Sequence, residues 1–292
     1  MIKLRTKLGR RDFLQRSAGL LPLAALSARA AGTHHLKNFG VQLYTVRSII
    51  MNDPALTLSA IQDDGYTEVE AIYTTLHAIW QPLQQTKMKP VSVHVDYDFF
   101  GNPEKMGQAI EQSKKWGFQY VVFPYVPPKA RNGISGMKTL AGQLNAAGEQ
   151  AKKAGIRLCY HNHAFEFEPM NGTTPLEVLL DSTDKNLLSL ELDVFWASVA
   201  GHDPVDVIQK HSGRVALLHL KDKAKGVPVQ YNENVPKDAF KALGQGTIDF
   251  AAVLRAAEKE GVAHYFVEQD QTPGNPLDSL KISAQYLRKL SF

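Results

Sequence analysis

Residues 158–169, LCYHNHAFEFEP, hold four ligand-type side chains at the end of an apolar run. His161 and His163 alternate along the chain, so in an extended strand both imidazoles project from the same face. Glu166 and Glu168 follow directly. Imidazoles and carboxylates coordinate divalent metal ions and transfer protons. A hydrogen-bonded core histidine and a loop ion pair are the structural alternatives, and for this stretch alone they stay open.

Polar side chains of the same kinds follow the other apolar runs of the sequence. They are Gln42, Tyr44 and Arg47; Glu70; His94 and Asp96; Glu191, Asp193 and Trp196; His219, Lys221 and Asp222; and Glu268 and Asp270. Ionisable groups at the ends of apolar strands are costly to bury unless each meets a partner. A mixed set of imidazoles and carboxylates predicts a site for Mn²⁺, Zn²⁺, Co²⁺ or Mg²⁺, and the lack of thiolates in the set argues against a soft metal.

Eight apolar or alternating runs predict strands, and segments of helical periodicity separate them. The predicted strands are residues 39–46, 66–73, 91–97, 120–126, 157–163, 188–196, 215–222 and 264–270. This alternation predicts an α/β fold, a single-domain (β/α)8 TIM barrel over residues 32–292. An open doubly wound sheet is the alternative, but the sequence lacks the glycine-rich phosphate loop that such a sheet often carries after its first strand.

In such a barrel the strand ends meet at one face, where the loops build the active site. The polar residues at the strand ends are therefore expected to converge. The longest connection, residues 223–249, follows the seventh strand and is a candidate lid. Its Gly244-Gln245-Gly246 segment predicts a turn, and Cys159, in the middle of a strand, predicts a core residue.

The first 31 residues have the features of an export signal. The pair Arg10 and Arg11 precedes a short apolar stretch and a small-residue cleavage site near Ala30. The pair resembles the twin-arginine (Tat) signal, which carries folded proteins, and this predicts an exported, periplasmic protein. The apolar stretch is too short to span a membrane, so no stable membrane association is expected.

The charge of the chain is unevenly distributed. Residues 1–31 hold seven basic residues and one acidic residue, a net charge of +6, against +4 for the whole chain, which leaves −2 on the remainder. A mildly acidic domain gives no electrostatic case for binding nucleic acid. The single cysteine excludes an internal disulfide, which is compatible with folding before export.

The blocks YHNHAFEF, LELDVFW, LLHLKD, LGQGTIDF and YFVEQD occur in this order after the opening FGVQLYTVR. In order and spacing they resemble the sugar phosphate isomerase/epimerase family, the xylose isomerase-like TIM barrels. The resemblance spans the chain after the signal. It implies a divalent metal ion held by Glu, Asp, His and Glu from four strands. Asp193, His219 and Glu268 match the last three positions, whereas His161 stands nearest the first, with Glu166 as the alternative ligand.

The resemblance implies a metal-dependent isomerase or epimerase that acts on a carbohydrate through an enediolate intermediate. In this interpretation Glu268 is both ligand and base, and His163 or Lys221 returns the proton. Contacts with the small carbohydrate substrate are expected from Arg47, His94 and Trp196.

The histidine in place of the first glutamate keeps a second reaction open. If a leaving group lies β to the carbonyl, the same intermediate expels it and the enzyme is a lyase or dehydratase, as in the related inosose dehydratases. Export favours keto-sugars or 3-keto-glycosides over phosphorylated metabolites. An endonuclease IV-like activity and a non-catalytic sugar-binding barrel are the remaining alternatives, and a homo-oligomer is compatible with the sequence.

Overall fold

The computed structural model of the protein describes residues 34–292, which form a closed barrel of eight parallel strands with a separate two-stranded pair. In chain order the strands are β1 (Gly40–Gln42), β2 (Glu68–Ile72), β3 (Lys89–His94), β4 (Tyr120–Phe123), β5 (Arg157–His161), β6 (Leu188–Asp193), β7 (Val215–Leu220), β8 (Asp222–Lys223), β9 (Phe240–Lys241) and β10 (His264–Val267). The short strands β8 and β9 form the antiparallel pair. The predicted (β/α)8 barrel is confirmed.

Helices alternate with the barrel strands along the chain. They are α1 (Pro54–Asp63), α2 (Leu76–Gln84), α3 (Tyr97–Phe100), α4 (Pro103–Lys115), α5 (Gly133–Ala154), α6 (Pro175–Asp181), α7 (Val194–Val199), α8 (Pro204–Lys210), α9 (Phe250–Lys259) and α10 (Pro276–Lys289). Asp53 and Asn102 cap α1 and α4, because each side chain accepts backbone N–H groups in the first turn of its helix. α5 ends at Gly155, whose φ of +77° suits glycine.

β10 closes the barrel by pairing with both β7 and β1. Every residue of β4, β6 and β7 is buried, as expected for parallel strands covered on both faces. Apolar side chains form a separate buried cluster that includes Val122, Cys159, Leu217 and Phe266. Cys159 is therefore a core residue, as predicted.

The strands end one to four residues earlier than the predicted runs. After β1 the chain enters a short 3-10 helix, Leu43–Val46, and after β6 it enters α7 directly. These predicted strand ends are wrong because the first turns beyond the strands are buried as well, so the apolar pattern continues past the last ladder pair. As a result, the histidine, aspartate and glutamate residues of the predicted site lie at the last positions of the strands or at the first positions of the loops.

The connection predicted as a lid is folded around one buried carboxylate. Asp222 accepts the backbone N–H groups of Gly244 at 3.0 Å, Gly246 at 2.8 Å and Ile248 at 3.2 Å. The turn predicted at residues 244–246 is present, and the Asp222 carboxylate organises it. A Cβ added to Gly246 would lie 2.2 Å from Asp222 Oδ1, which explains the glycine.

The same connection is also tied to the loop that follows β4. Glu233 forms a two-point ion pair with Arg131, at 2.7 and 3.2 Å, and Arg131 belongs to the segment between β4 and α5. The Arg131 guanidinium also lies 3.7 Å from the centre of the Phe165 ring. These contacts bridge the loops that follow the fourth, fifth and seventh barrel strands.

The predicted signal peptide, residues 1–31, lies outside the described residues. Among residues 34–292, no helix has both the length and the apolar character needed to cross a membrane.

Candidate metal centre

Four residues from four neighbouring barrel strands bring ligand-type atoms together at the carboxyl end of the barrel. His161 and Asp193 are the last residues of β5 and β6, His219 lies near the end of β7, and Glu268 directly follows β10. All four are buried, and one ligand atom from each lies within 4.8 Å of the others. The register explains part of this convergence, because Asp193 pairs with His219 across β6 and β7.

The distances within this set fit one small cation. His219 Nδ1 lies 2.9 Å from Glu268 Oε2 and 3.9 Å from Asp193 Oδ2, and His161 Nε2 lies 3.8 Å from Asp193 Oδ2. Ligand atoms about 2.0–2.2 Å from a shared ion lie roughly 3–4 Å apart, as the atoms of these three pairs do. Asp193 Oδ2 is buried and makes no hydrogen bond with the described residues, although Lys221 Nζ lies 2.9 Å away. An oxygen atom in this position is suited to binding a cation.

The backbone around Asp193 fixes which of its oxygens faces the cluster. Asp193 Oδ1 accepts the backbone N–H of Trp196 at 3.0 Å and caps α7. The N–H of Asp193 donates to Asn162 Oδ1, also at 3.0 Å. Because the helix cap occupies Oδ1, Oδ2 is the oxygen that remains for a metal ion. Asn162, between the two histidines of the opening stretch, thereby ties the end of β5 to β6.

Lys221 is a buried cation held by three carboxylates. Its Nζ lies 2.8 Å from Glu268 Oε2, 2.9 Å from Asp193 Oδ2 and 3.1 Å from Asp270 Oδ2. Burial lowers the pKa of Lys221, but the charges of these carboxylates outweigh burial and hold the pKa well above its usual value. Burial raises the pKa of Glu268, but the charges of Lys221 and His219 hold it well below its usual range. Lys221 and Glu268 are therefore both ionised.

A second group of ionisable residues packs against the other nitrogen of His219. Glu70 Oε2 lies 2.5 Å from His219 Nε2, accepts from Gln42 Nε2 at 2.7 Å and lies 3.0 Å from His94 Nε2. His94 Nε2 also lies 2.9 Å from Glu191 Oε2. The sequence places Glu70 and Glu191 at strand ends but gives them no role. Spacing offers one signal, since residues 191 and 193 alternate along β6 and so share a face.

The protons in this second group are unevenly shared. Burial raises the pKa of Glu191 to about 8, and the charge of Glu70 adds to that effect. Burial lowers the pKa of His94, but Glu70 and Glu191 outweigh it and raise the value to about 10. Burial raises the pKa of Glu70, yet the charges of His94 and His219 hold it well below its usual range. These shifts favour the charged forms of Glu70 and His94, and they favour the protonated form of Glu191. His94, a predicted substrate contact, is therefore engaged by two acidic side chains.

His163 lies beside the cluster, against aromatic rings. Its ring centre is 5.1 Å from that of His161, 5.3 Å from that of Trp196 and 4.9 Å from that of Tyr125. Burial lowers the pKa of His163, and the charge of Lys221 adds to this, so the ring is neutral. Within residues 34–292, His163 Nδ1 and Trp196 Nε1 are buried without hydrogen-bond partners. Two unpaired polar nitrogens beside an aromatic surface suit a ligand rich in hydroxyl groups.

Glu166, the alternative first ligand, is engaged elsewhere. Its Oε1 accepts the Tyr160 hydroxyl at 2.7 Å and its Oε2 accepts the backbone N–H of His163 at 2.8 Å. Burial raises the pKa of Glu166 to about 8. The carboxyl group thus folds the chain back after β5 and fixes His163, while His161 lies in the ligand set.

The other predicted substrate contacts lie at the edge of the cluster. Trp196 is buried, and its ring centre is 5.7 Å from Lys221 Nζ. Arg47 donates to the backbone oxygen of Asp270 at 2.6 Å and stacks on the Tyr44 ring at 4.0 Å. The structure therefore brings Trp196 to the cluster and holds Arg47 at its rim.

Curated relatives match about half of the chain. An inosose dehydratase of Clostridium perfringens is 32% identical over 162 residues, which cover 52% of this chain and 54% of that protein. An inosose dehydratase of Geobacillus thermodenitrificans is 30% identical over 156 residues, covering 50% and 52% of the two chains. The chain thus spans about half the length of the curated relatives that it matches.

Solved structures match over a longer range. The structure of a sugar phosphate isomerase/epimerase from Parabacteroides distasonis superimposes with a TM-score of 0.72 at 25% identity, covering 92% of this chain and 98% of that one. A family model described as the xylose isomerase-like TIM barrel matches residues 101–290. Together with the closed eight-stranded barrel, this match shows that the chain belongs to the xylose isomerase-like TIM barrel family.

Proposed function

We propose that the protein is a divalent-metal-dependent enzyme acting on a small keto-sugar. It removes the proton α to the carbonyl and expels an oxygen substituent from the β carbon, as a dehydratase or lyase. The observation that carries this proposal is the buried set of His161, Asp193, His219 and Glu268 at the strand ends. The inosose dehydratases among the relatives support elimination as the outcome.

Two imidazoles and two carboxylates form a donor set that suits Zn²⁺, Mn²⁺ or Co²⁺. Mg²⁺ is the alternative, although it binds nitrogen ligands more weakly than the other three ions do. When bound, such an ion supplies Lewis acidity toward the carbonyl and a neighbouring hydroxyl of the substrate. Lys221 adds a fixed positive charge beside Glu268, at 2.8 Å. This charge stabilises negative charge on the oxygen of an enediolate.

Glu268 is the proposed base, and the proton balance of the reaction follows from that role. The Glu268 carboxylate takes the α proton, and the C–H electron pair forms the enediolate double bond. That electron pair then forms a double bond between the α and β carbons as the β C–O bond breaks. The departing oxygen takes a proton from the Lys221 ammonium, or from His163 after that neutral ring has taken up a proton from solvent, and leaves as water or an alcohol. The proton on Glu268 afterwards restores that donor through solvent.

His161 favours elimination over two-base epimerisation. The family resemblance places a carboxylate at the end of the fifth strand, where it would pair with the carboxylate of Glu268 on the opposite face of the substrate carbon. Here an imidazole stands at that position, and burial lowers the pKa of His161 while the charge of His219 adds to the effect. One carboxylate base then acts at the reacting carbon, which suffices for elimination.

The substrate proposed is unphosphorylated. Arg47 is engaged by backbone oxygens and the Tyr44 ring, and Arg131 is engaged by Glu233. Recognition of a phosphate group usually relies on charged donors with free hydrogen-bonding capacity. The unpaired nitrogens of His163 and Trp196 fit hydroxyl groups instead.

Isomerisation or epimerisation of a carbohydrate is the second candidate. It is favoured by the Parabacteroides distasonis structure, which matches 92% of this chain at 25% identity. It uses the same enediolate, and it differs from elimination only in whether the proton returns to carbon or an oxygen departs.

The test is incubation of the ion-loaded protein in ²H₂O with inososes, 3-keto-glycosides, ketoses and aldoses, followed by NMR of the products. Elimination predicts loss of water or an alcohol and formation of a 2-hydroxy enone or of the 1,2-diketone to which it tautomerises. Isomerisation predicts deuterium in a product of unchanged composition. A folded, ion-loaded protein that binds these sugars and exchanges no proton in any of them would be a sugar-binding barrel, and the enzymatic proposal would be refuted.

Export through the twin-arginine route is proposed from the sequence alone. Replacing Arg10 and Arg11 by lysine keeps the charge and removes the arginine pair. We expect the double variant to accumulate uncleaved in the cytoplasm, as measured by cell fractionation. Cleavage near Ala30 at the unmodified rate would refute the twin-arginine assignment.

A further inference from the structure

We infer that Glu70 is a positioning residue: it holds the Nε2 proton of His219 and thereby leaves Nδ1 as the nitrogen that binds the metal ion. This inference rests on the metal centre proposed above. It concerns a residue that the sequence leaves without a role and that lies outside the proposed ligand set.

The two nitrogens of the His219 ring face different partners. Nε2 lies 2.5 Å from Glu70 Oε2, while Nδ1 lies 2.9 Å from Glu268 Oε2 and 3.9 Å from Asp193 Oδ2. While no ion is bound, Glu268 can also accept a proton from Nδ1. A ring that coordinates through Nδ1 would carry its proton on Nε2, since a neutral imidazole has one protonated nitrogen and one lone pair. A carboxylate that accepts the proton of one nitrogen therefore selects the tautomer that coordinates through the other.

Glu70 is itself held in place by the barrel. Gln42 and Glu70 are paired residues in the ladder between β1 and β2, and Gln42 Nε2 donates to Glu70 Oε2 at 2.7 Å. Gln42 Oε1 accepts the backbone N–H of Tyr44 at 3.0 Å, which fixes the orientation of the amide. His94 Nε2 lies 3.0 Å from the same Glu70 oxygen. Gln42 and His94 therefore both restrain Glu70 Oε2. If the His219 ring turned, this oxygen would stay in place and the contact with Nε2 would be lost.

A second arrangement of the same residues makes a different prediction. His94, His161, Glu191 and His219 also have ligand-type atoms within 4.8 Å of one another, so they could hold a second ion. In that case His219 would bind this ion through Nε2, and Glu70 would lie beside a ligand atom instead of accepting a proton. The two arrangements differ in the number of ions per chain and in the nitrogen that is coordinated.

The first experiment compares Glu70→Gln with Glu68→Gln. Glu68 is a matched control, because it lies two residues earlier on β2 and its carboxylate also contacts a histidine, His264 Nδ1, at 2.8 Å. Competition between the protein and a chromophoric chelator for Zn²⁺ gives the affinity. We expect Glu70→Gln to weaken Zn²⁺ binding by about 10- to 100-fold, the usual effect of losing an outer partner of a ligand histidine. We expect Glu68→Gln to bind as the unmodified protein does.

The second experiment needs no variant. Long-range ¹H–¹⁵N NMR of the Zn²⁺-loaded, ¹⁵N-labelled protein identifies the nitrogen of His219 that carries the proton, with His219→Gln for assignment. Protonated Nε2 and coordinated Nδ1, with one Zn²⁺ per chain by elemental analysis, support the inference. Coordination through Nε2, two ions per chain, or equal affinities of Glu70→Gln and the unmodified protein would each overturn it. Failure of the unmodified protein to bind any divalent ion would instead refute the proposed metal centre.

Discussion

Asp193 performs two tasks with its two carboxylate oxygens, and substitutions can separate them. Oδ1 caps α7 through the backbone N–H of Trp196, whereas Oδ2 faces the proposed metal position. Asp193→Asn keeps an oxygen for the cap and replaces the charged ligand oxygen. Asp193→Ala removes both. We therefore expect both variants to lose metal-dependent stability and only the alanine variant to lose the cap.

The expected loss of stability follows from the thermodynamic linkage between ion binding and folding. At an ion concentration about 1,000 times the dissociation constant, binding stabilises the fold by about 4.1 kcal/mol. If loss of the Asp193 ligand weakens binding about 100-fold, the same ion concentration gives about 1.4 kcal/mol, so about 2.7 kcal/mol is lost. For a domain of this size that corresponds to a Tm lower by about 5–11 °C. In metal-free protein, Asp193→Ala should be less stable than Asp193→Asn by about 1 kcal/mol, the usual value of a helix cap.

The measurement is thermal and urea unfolding of each variant with EDTA and with excess Zn²⁺. Asp203 provides the matched control, because it caps α8 by accepting the N–H of Val205 at 2.8 Å and belongs to neither proposed ligand group. Asp203→Ala should lose the cap and keep the full gain in Tm on adding Zn²⁺. If Asp193→Asn keeps that gain as well, Asp193 is not a ligand and the proposed site is wrong.

Four further outcomes are expected. His163→Ala should leave the metal affinity unchanged and slow elimination by about 10²–10⁴-fold. Exchange of the α proton should be preserved, since Glu268 still removes it. Full turnover by this variant would contradict the acid role of His163. Asp222→Ala should lower the free energy of unfolding by about 3 kcal/mol in urea titrations, because three loop N–H groups lose their acceptor at about 1 kcal/mol each. Arg131 and Glu233 should show a coupling of about 1 kcal/mol in a double-mutant cycle of unfolding. Because burial raises the pKa of Glu166 to about 8, from 4.5, the folded protein binds more protons than the unfolded chain between these values. The free energy of unfolding should therefore fall as pH rises through that window. Glu191, whose pKa is also raised to about 8, contributes to the same fall, so Glu166→Gln should make the fall shallower by the share of one carboxyl group.

The barrel was predictable because its pattern is repeated. Eight apolar runs separated by segments of helical periodicity leave few architectures, because alternating strands and helices favour a parallel sheet with helices outside it. The strand ends were not predictable to the residue, since α7 begins with Val194 and Phe195, which are as buried as the strand before them. An apolar residue indicates a buried position, and buried positions continue past the last backbone hydrogen bond of the strand ladder.

The candidate site was predictable as far as topology determines it. Parallel strands bring their last residues to one face, so the convergence of Asp193, His219 and Glu268 follows from their positions at strand ends. The roles of Glu70 and Glu166 do not follow, because both depend on which atom of a neighbour each carboxylate reaches. Glu166 reaches the N–H of His163 only because a short 3-10 helix, Phe165–Phe167, folds back after β5. Such local reversals leave no periodic signal in the sequence.

Two of the proposed ligands, Asp193 and His219, each use one atom to contact the surrounding protein and another atom to face the cluster. In Asp193 one oxygen serves a helix cap and the other faces the cluster. In His219 one nitrogen contacts Glu70 and the other faces the cluster. Each side chain is therefore oriented by contacts that exist without the ion, so we expect the metal-free chain to fold with these ligands already in position. Because the ligands are already oriented, ion binding does not include the free-energy cost of ordering these side chains, and the affinity for the ion is higher for that reason.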